Sequence, residues 1–290
     1  MYYMSKELLI TQYFKDIQTA LYEFSKNPSC SPMYWEWLSD AAHRPLSITE
    51  ANNFLLGCIL DIRASSQDTW ENCTFFIEEV LCAPENVFAL IAEYTQAEWE
   101  AEFDAYGLHP ERLVHMRVHH IARRMMRQYR GDGRLLWELE PKIPREVFKR
   151  LRMLGFTNTG ATMVIGALKD EQYLSGPFDL ISDAAITRVV SRIFTGTDTL
   201  LSADEVIHAG RYLHRADPWV LDRPFSTLSR VACRKKAECN VCPLMNICMY
   251  ANEYPFSGDE ILMVAFGTVT HQMLLSDWLY HDVHTQHEQT

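Results

Sequence analysis

The sequence predicts an all-α chain, and three observations carry that reading. Apolar residues recur at the i, i+3, i+4 spacing of a helix stripe along most of the 290 residues. No stretch alternates apolar and polar residues as a half-buried strand requires. Turn signals recur at short intervals, so the helices are short and tightly joined. With 48% hydrophobic and 22% charged residues, and only 12 Gly and 12 Pro, the composition excludes a disordered or collagenous chain. The length allows one large domain or two modest ones, with cores that need no disulfide staples. The longest apolar runs, Met163–Leu168 and Ile261–Gly267, fall far short of the ~20 residues that cross a bilayer. The first residues lack the basic-then-apolar order of a secretory signal, so the sequence reads as intracellular.

Taken in order, Ser5–Tyr22 carries a stripe of Leu8, Leu9, Ile10, Tyr13, Phe14 and Ile17. Ser47 and Glu50 form the Ser-x-x-Glu pattern that opens a helix, which runs on through Phe54, Leu55 and Leu56. Trp70–Val80 and Pro84–Glu93 read as two short helices. Leu113–Tyr129 is longer and ends near Gly131 and Gly133. Pro144 suits a first turn, followed by Arg145–Met153. Thr159–Leu168, Ala184–Phe194 and Ala203–Leu213 complete the run. Pro218, Arg223 and Pro224 read as a loop ahead of a cysteine-rich region.

The net charge of −11 is unevenly spread. Acidic side chains dominate residues 1–110, basic ones dominate 111–250, and 251–290 hold no Lys or Arg. Arg112, Arg117, Arg123, Arg124, Arg127, Arg130 and Arg134 crowd one stretch, with His109, His115, His119 and His120 in or beside it. Such a run reads either as a solvated helix face or as a positive face that meets phosphates.

Cys30, Cys58, Cys73 and Cys82 lie among apolar residues and read as buried free thiols. Cys233, Cys239, Cys242 and Cys248 follow the spacing Cys-x5-Cys-x2-Cys-x5-Cys. Four thiolates this close in an intracellular chain point to a metal site rather than to disulfides. Structural zinc usually pairs its ligands in two Cys-x2-Cys knuckles. A single Cys-x2-Cys flanked symmetrically suits a compact loop around a [4Fe–4S] cluster, although ligand softness and number permit either. Arg234, Lys235 and Lys236 decorate this loop, where basic side chains can meet phosphates.

Upstream, Met153 to Ile165 reads as a turn at Gly155 between two helices. Such a turn presents backbone N–H groups at a helix N-terminus, a ready anion site, or else is a plain helix–helix connection. Asp183 stands at the start of the next helix, with Ser182 before it. By position alone it is a capping acid that complements the helix dipole.

The order of hairpin, aspartate at a helix start and four-cysteine loop resembles the helix-hairpin-helix DNA glycosylases with an iron–sulfur loop, the family of endonuclease III and the adenine glycosylase of mismatch repair. The family's hairpin, roughly Leu-Pro-Gly-Val-Gly-Arg-Lys-Thr-Ala, falls on Met153 to Ala161, with Gly155, Thr157, Thr159 and Gly160 at its key positions. Its catalytic helix, opening Val-Asp-Thr-His-Val-x-Arg-Val, falls on Ser182 to Val189, which places Asp183 and Arg188. The approach Gly-Arg-x-x-Cys falls on Ser229 to Cys233, and the tail Cys-Pro-Leu-x-x-x-Cys-x-Tyr is complete from Cys242 to Tyr250. Phe54 to Ser66 resembles the early helix ending in a loop that wedges into DNA, where Arg63 is either a wedge contact or an exposed surface arginine.

The resemblance covers about residues 50–250. It implies two helical domains with a cleft between them. Residues 50–182 would be a six-helix domain carrying the hairpin. Residues 1–49 with 183–290 would be a discontinuous domain holding a [4Fe–4S] cluster on Cys233, Cys239, Cys242 and Cys248. It further implies a monomer acting on duplex DNA, nucleoid-associated in a prokaryote, that hydrolyses the N-glycosidic bond of a flipped damaged, mismatched or modified base. Asp183 would be the catalytic carboxylate. Gly155, Thr157, Thr159, Gly160, Arg63, Arg188, Arg234, Lys235 and Lys236 would contact DNA. The chain departs from the family pattern in places. Thr157 replaces the second hairpin glycine, Ala185 replaces the histidine two residues after the aspartate, and the first cysteine spacer is five residues where the best-known members have six. Thr159 stands where bifunctional members carry lysine, so imine-based strand cleavage is not implied. These departures leave open a non-catalytic DNA-binding relative that kept fold and cluster. A small zinc-binding helical interaction protein is the reading without the resemblance. For Tyr34, Trp35 and Trp37 the default is core packing, and for the tail with His271, His281, His284 and His287 partial order.

Overall fold

The computed structural model describes residues 5–30, 38, 44–60, 66–107, 113–180 and 182–267, with backbone alone for 66–69 and 266–267. Among the described residues the regular structure is helical, with no strand. The helices are α1 (Lys6–Ser25), α2 (Ile48–Leu60), α3 (Ser66–Phe75), α4 (Val87–Glu93), α5 (Gln96–Tyr106), α6 (Val114–Tyr129), α7 (Leu135–Glu138), α8 (Pro144–Leu154), α9 (Asn158–Asp170), α10 (Ala184–Thr195), α11 (Ala203–Leu213), α12 (Asp222–Val231) and α13 (Gly258–Gly267). The chain divides into two compact units. One is central, residues 32–176, and one is discontinuous, residues 1–31 with 177–290. No described helix is long and apolar enough to cross a membrane.

In the central unit α2 is the hub. Every residue from Ala51 to Leu60 is buried, and α2 packs against α4, α6 and α9. Phe54, Leu55 and Ile59 meet a core to which α4 gives Phe88 and Ile91, α6 gives Val118 and Ile121, and α9 gives Val164 and Leu168. Each such side chain contributes about 1.5–3 kcal/mol on burial. Buried Asn52 also organises this unit. Its Nδ2 donates to Gly131 O and Asn86 Oδ1, both at 2.8 Å, while its Oδ1 accepts from Gly133 N–H at 3.0 Å. The turn after α6 is thereby pinned to α2. The start of α2 is a capping box, as the sequence predicts. Ser47 Oγ accepts from Glu50 N–H at 3.1 Å, and Glu50 accepts from Ser47 N–H at 2.8 Å. Arg44 pairs with the same carboxylate and, more than the Ser47 bonds, lowers its pKa to about 2.

In the discontinuous unit α10 is the hub. Ile186, Val189, Val190, Ile193 and Phe194 pack with Tyr13, Phe14 and Ile17 of α1, Phe225 and Leu228 of α12, and Ile261 of α13. Tyr13 Oη donates to Ile193 O at 2.6 Å, so a hydroxyl in this core is satisfied.

Three expectations are corrected here. The stretch around Pro218, Arg223 and Pro224 is not a loop. Pro218 opens a short 3₁₀ turn, and Pro224 sits in the first turn of α12, where the missing N–H costs no bond. Cys82 is exposed, unlike Cys30, Cys58 and Cys73. It lies in the reversal after Phe76–Val80, where Cys82 and Ala83 take φ of 56° and 47°. The element expected at Trp70–Val80 begins earlier, at Ser66, and changes to a π-helical turn at Phe76.

Candidate functional site

The hairpin lies in the central unit. Pro144 occupies the first turn of α8, and Gly155 ends it with φ of +113°, a region that disfavours side chains. Gly155 N–H donates to Arg152 O at 3.0 Å and Phe156 N–H to Leu151 O at 3.1 Å, a Schellman-type close with Phe156 buried beneath it. Thr157 then caps α9. Its Oγ1 accepts from Gly160 N–H at 3.0 Å, and its carbonyl accepts from Ala161 N–H at 2.9 Å. The threonine at the departed glycine position therefore has a structural task, and the Gly160 amide is already in use. Asn158 and Thr159 are exposed, and at N1 and N2 their N–H groups have no intrahelical partner.

Asp183 is in the discontinuous unit, at the N-cap of α10 with extended φ and ψ of −91° and 168°. A single oxygen, Oδ1, accepts from Ala185 N–H at 2.7 Å and Ile186 N–H at 2.6 Å. The side chain is exposed, and Oδ2 is outside the capping bonds. Ser182 Oγ and Thr187 Oγ1 lie 2.7 Å apart and tie the approach to the helix. The result is an oriented carboxylate, one oxygen committed to the helix and one open, in the positive field of a helix N-terminus. The side chain of Ala185 adds no polar group to it.

Two arginines further along α10 reach the cysteine loop. Arg188 Nε donates to Cys233 O at 2.9 Å, so this guanidinium is engaged within the protein. Arg192 is 1% exposed. Its Nη1 donates to Arg234 O at 2.7 Å and to Cys233 Sγ at 3.4 Å, and its Nη2 to Lys235 O at 3.0 Å. Its Nε pairs with Asp198 at 2.8 Å, and the guanidinium lies 4.6 Å from the Tyr250 ring centroid. Sequence reading missed Arg192. The available signal was its position one turn after Arg188 on a face leading to the cysteine loop.

Cys233, Cys239, Cys242 and Cys248 line one small hollow of about 20 Å³, together with Arg192, Met245 and Tyr250. Burial pushes the Cys248 thiol up to about 12 and also raises Cys242. Among the described residues no group of three or more His, Cys, Asp or Glu is arranged to hold a single metal ion. Arg234, Lys235 and Lys236 are all exposed, with Arg234 held by Arg230 O at 2.6 Å and by Glu238 at 3.5 Å. Arg63, His109, Arg112, Tyr34, Trp35, Trp37 and the histidines of the tail lie outside the described residues.

No protein-family model matches the chain, and no curated protein matches it. Among solved structures it is similar to a thermostable thymine-DNA glycosylase, with a TM-score of 0.56 over 83% of this chain and 97% of that one. Sequence identity over the match is 15%, so the likeness is one of fold. The chain thus shares the all-helical fold of that structure along most of its length.

Proposed function

We propose that this chain is a monofunctional DNA glycosylase, acting as a monomer on a flipped base in duplex DNA. The observation that carries the reading is Asp183, a carboxylate fixed by two backbone amides through one oxygen and open at the other. The fold likeness to a thymine-DNA glycosylase and the hairpin closed at Gly155 support it. A base must leave the stack before its sugar bond is accessible. In the reaction, the C1′–N bond breaks and the base leaves with the bonding electron pair. The sugar gains oxocarbenium character, which the Asp183 carboxylate stabilises. Water adds to C1′, its proton passing to Asp183 and from there to solvent, and the departing base takes up a proton from solvent.

The four cysteines are the proposed ligands of a [4Fe–4S] cluster. The four thiols line one hollow, and Arg192 places a positive charge against Cys233 that would help to hold thiolate ligands. When bound, the cluster would brace the loop bearing Arg234, Lys235 and Lys236. Protein purified without oxygen should carry iron and absorb near 400 nm; zinc in place of iron rejects the cluster.

Lyase chemistry is not part of the proposal, because Thr159 offers a hydroxyl where an imine needs an amine. Borohydride trapping on abasic-site DNA is therefore expected to yield no covalent protein–DNA adduct, and an adduct would reject the monofunctional assignment. The test of the main reading is base release. The anaerobic protein is incubated with genomic and lesion-bearing duplex DNA, and freed bases are identified by mass spectrometry. A base released by the wild type and not by Asp183→Asn is the expected result, and it names the substrate. A chain that binds duplex but releases nothing favours the non-catalytic alternative, in which Asp183 is a helix cap and nothing more.

A further inference from the structure

The cationic stretch singled out in the sequence acquires a definite place on α6. That helix contains no Asp or Glu. Its apolar side, with Val114, Val118, Ile121, Ala122 and Met125, is buried in the central unit. The opposite side carries Arg117, His120, Arg123, Arg124 and Arg127, with His120, Arg123 and Arg127 exposed. At 1.5 Å per residue these groups form a row about 15 Å long. Their hydrogen bonds stay inside the row: Arg124 Nη1 is 3.4 Å from His120 Nε2, and Arg127 Nε donates to Arg123 O at 3.3 Å. Among the described residues no carboxylate forms an ion pair with Arg117, Arg123, Arg124 or Arg127. At the start of α5, Glu98 is turned back to Thr95 N–H at 2.8 Å in a capping box, and Glu100 faces His115 on the buried side of α6 at 3.7 Å.

The row also borders a concavity. Gln96 of α5 with Met116, His119, His120, Arg123 and Arg127 of α6 line an open polar hollow of about 370 Å³. His119 is fixed there by its Nε2 at 2.9 Å from Tyr94 O. One end of the row reaches the hairpin, since a Cβ placed on Gly155 would lie 3.5 Å from His120 Cδ2 and from Ile121 Cγ1. Four guanidiniums on one helix face, none of them paired with a carboxylate among the described residues, make a high local positive charge. Arginine is the side chain suited to forked recognition of phosphate oxygens. A row several phosphates long that starts beside the hairpin turn fits a polymeric phosphodiester better than one isolated anion.

We infer that the α6 row and its hollow are a second backbone-binding track for duplex DNA, continuing from the hairpin along the central unit. The inference rests on the proposed action on duplex DNA, and it adds a contact surface apart from Asp183 and the cysteine loop. The track reads phosphates and so contributes affinity and register rather than base preference.

The test is the salt dependence of binding to a fluorescent duplex of arbitrary sequence, using the full chain. Each phosphate contact adds about 0.9 to the slope of log K against log salt. The double variant Arg123→Ala/Arg127→Ala is expected to reduce that slope by ~1.8, equivalent to about tenfold in affinity between 50 and 200 mM salt. Both sites are exposed helix positions, where alanine favours the helix, and thermal melting checks that the variant is folded. Arg127→Lys should retain most of the slope, and Lys15→Ala on α1, an exposed charge elsewhere, should leave it unchanged. An unchanged slope in a folded double variant overturns the track while leaving base release, and the proposed function, intact. A reduced slope together with no base release by the wild type keeps the track and rejects the glycosylase. Binding of a free nucleotide but not of duplex by the wild type overturns the ligand class assigned here.

Discussion

Asp183→Asn is expected to lower base release by about 10²–10⁴-fold, the range for removing a charge-stabilising or proton-accepting group, and to leave folding and duplex affinity nearly unchanged. The structural half of this follows from the cap. Oδ1 alone accepts the two amide protons of Ala185 and Ile186, and an asparagine side chain keeps an oxygen there. Asparagine and aspartate are near-equal N-caps, so the stability change should be a few tenths of a kcal/mol. The chemical half follows from Oδ2, which the substitution turns into an uncharged NH₂. It can then neither stabilise an oxocarbenium-like sugar nor take a proton from water. Asp183→Ala provides the contrast. It removes cap and charge together and should cost a further ~1 kcal/mol in stability. Base-release rates under single turnover, with melts of both variants, separate the roles. Full activity in the Asn variant would falsify the catalytic assignment and leave Asp183 as a cap.

How much of this was legible depended on whether the physics was local. The Ser47–Glu50 capping box is complete within four residues, so α2 could be located from sequence. The same grammar marks Thr95–Glu98 and Ser202–Glu205, yet α5 escaped the reading. Its buried stripe is only Trp99 and Phe103, set among acids and alanines, and periodicity is faint in so thin a stripe. The prolines of 218–224 misled for a related reason. Proline breaks a helix interior but suits a first turn, and only the register of α12 distinguishes the two. Asn52 was illegible because its partners, Asn86 and Gly131, are far away in sequence. A buried amide cannot be told from an exposed one before its acceptors are known. In the candidate site, residue types at fixed spacing singled out Asp183 and the four cysteines. What the cysteine loop leans on, Arg192 and the bond from Arg188 to Cys233 O, emerged only with the packing of α10 against the loop.

Arg192→Ala should then be among the most destabilising single changes in the discontinuous unit, about 3–5 kcal/mol, the range for breaking a buried charged network by removing one partner. The guanidinium ties four things together: Asp198, the carbonyls of Arg234 and Lys235, and the Cys233 sulfur. Truncation leaves those two carbonyls without their donors, empties the volume of a long side chain packed against Tyr250, and frees the Asp198 carboxylate that Arg192 holds below its usual range. An orphaned acceptor costs about 1–3 kcal/mol where water cannot replace the donor. The Asp198 carboxylate is 64% exposed and Arg234 and Lys235 are exposed, so water reaches part of the loop and the freed carboxylate, which sets the expectation at the lower end of the range. At 2–4 °C per kcal/mol for a unit of this size, Tm should fall by roughly 6–12 °C. Arg192→Lys should recover little, because one ammonium cannot reproduce a planar fork that reaches two carbonyls and a sulfur at once. The loop is held from inside by this residue, so the same variant should also lose iron from the four cysteines and weaken the phosphate contacts proposed for Lys235 and Lys236. Melting, iron content and salt slope should fall together. A Tm within about 2 °C of wild type would show that the loop is held by its own turns and not from α10.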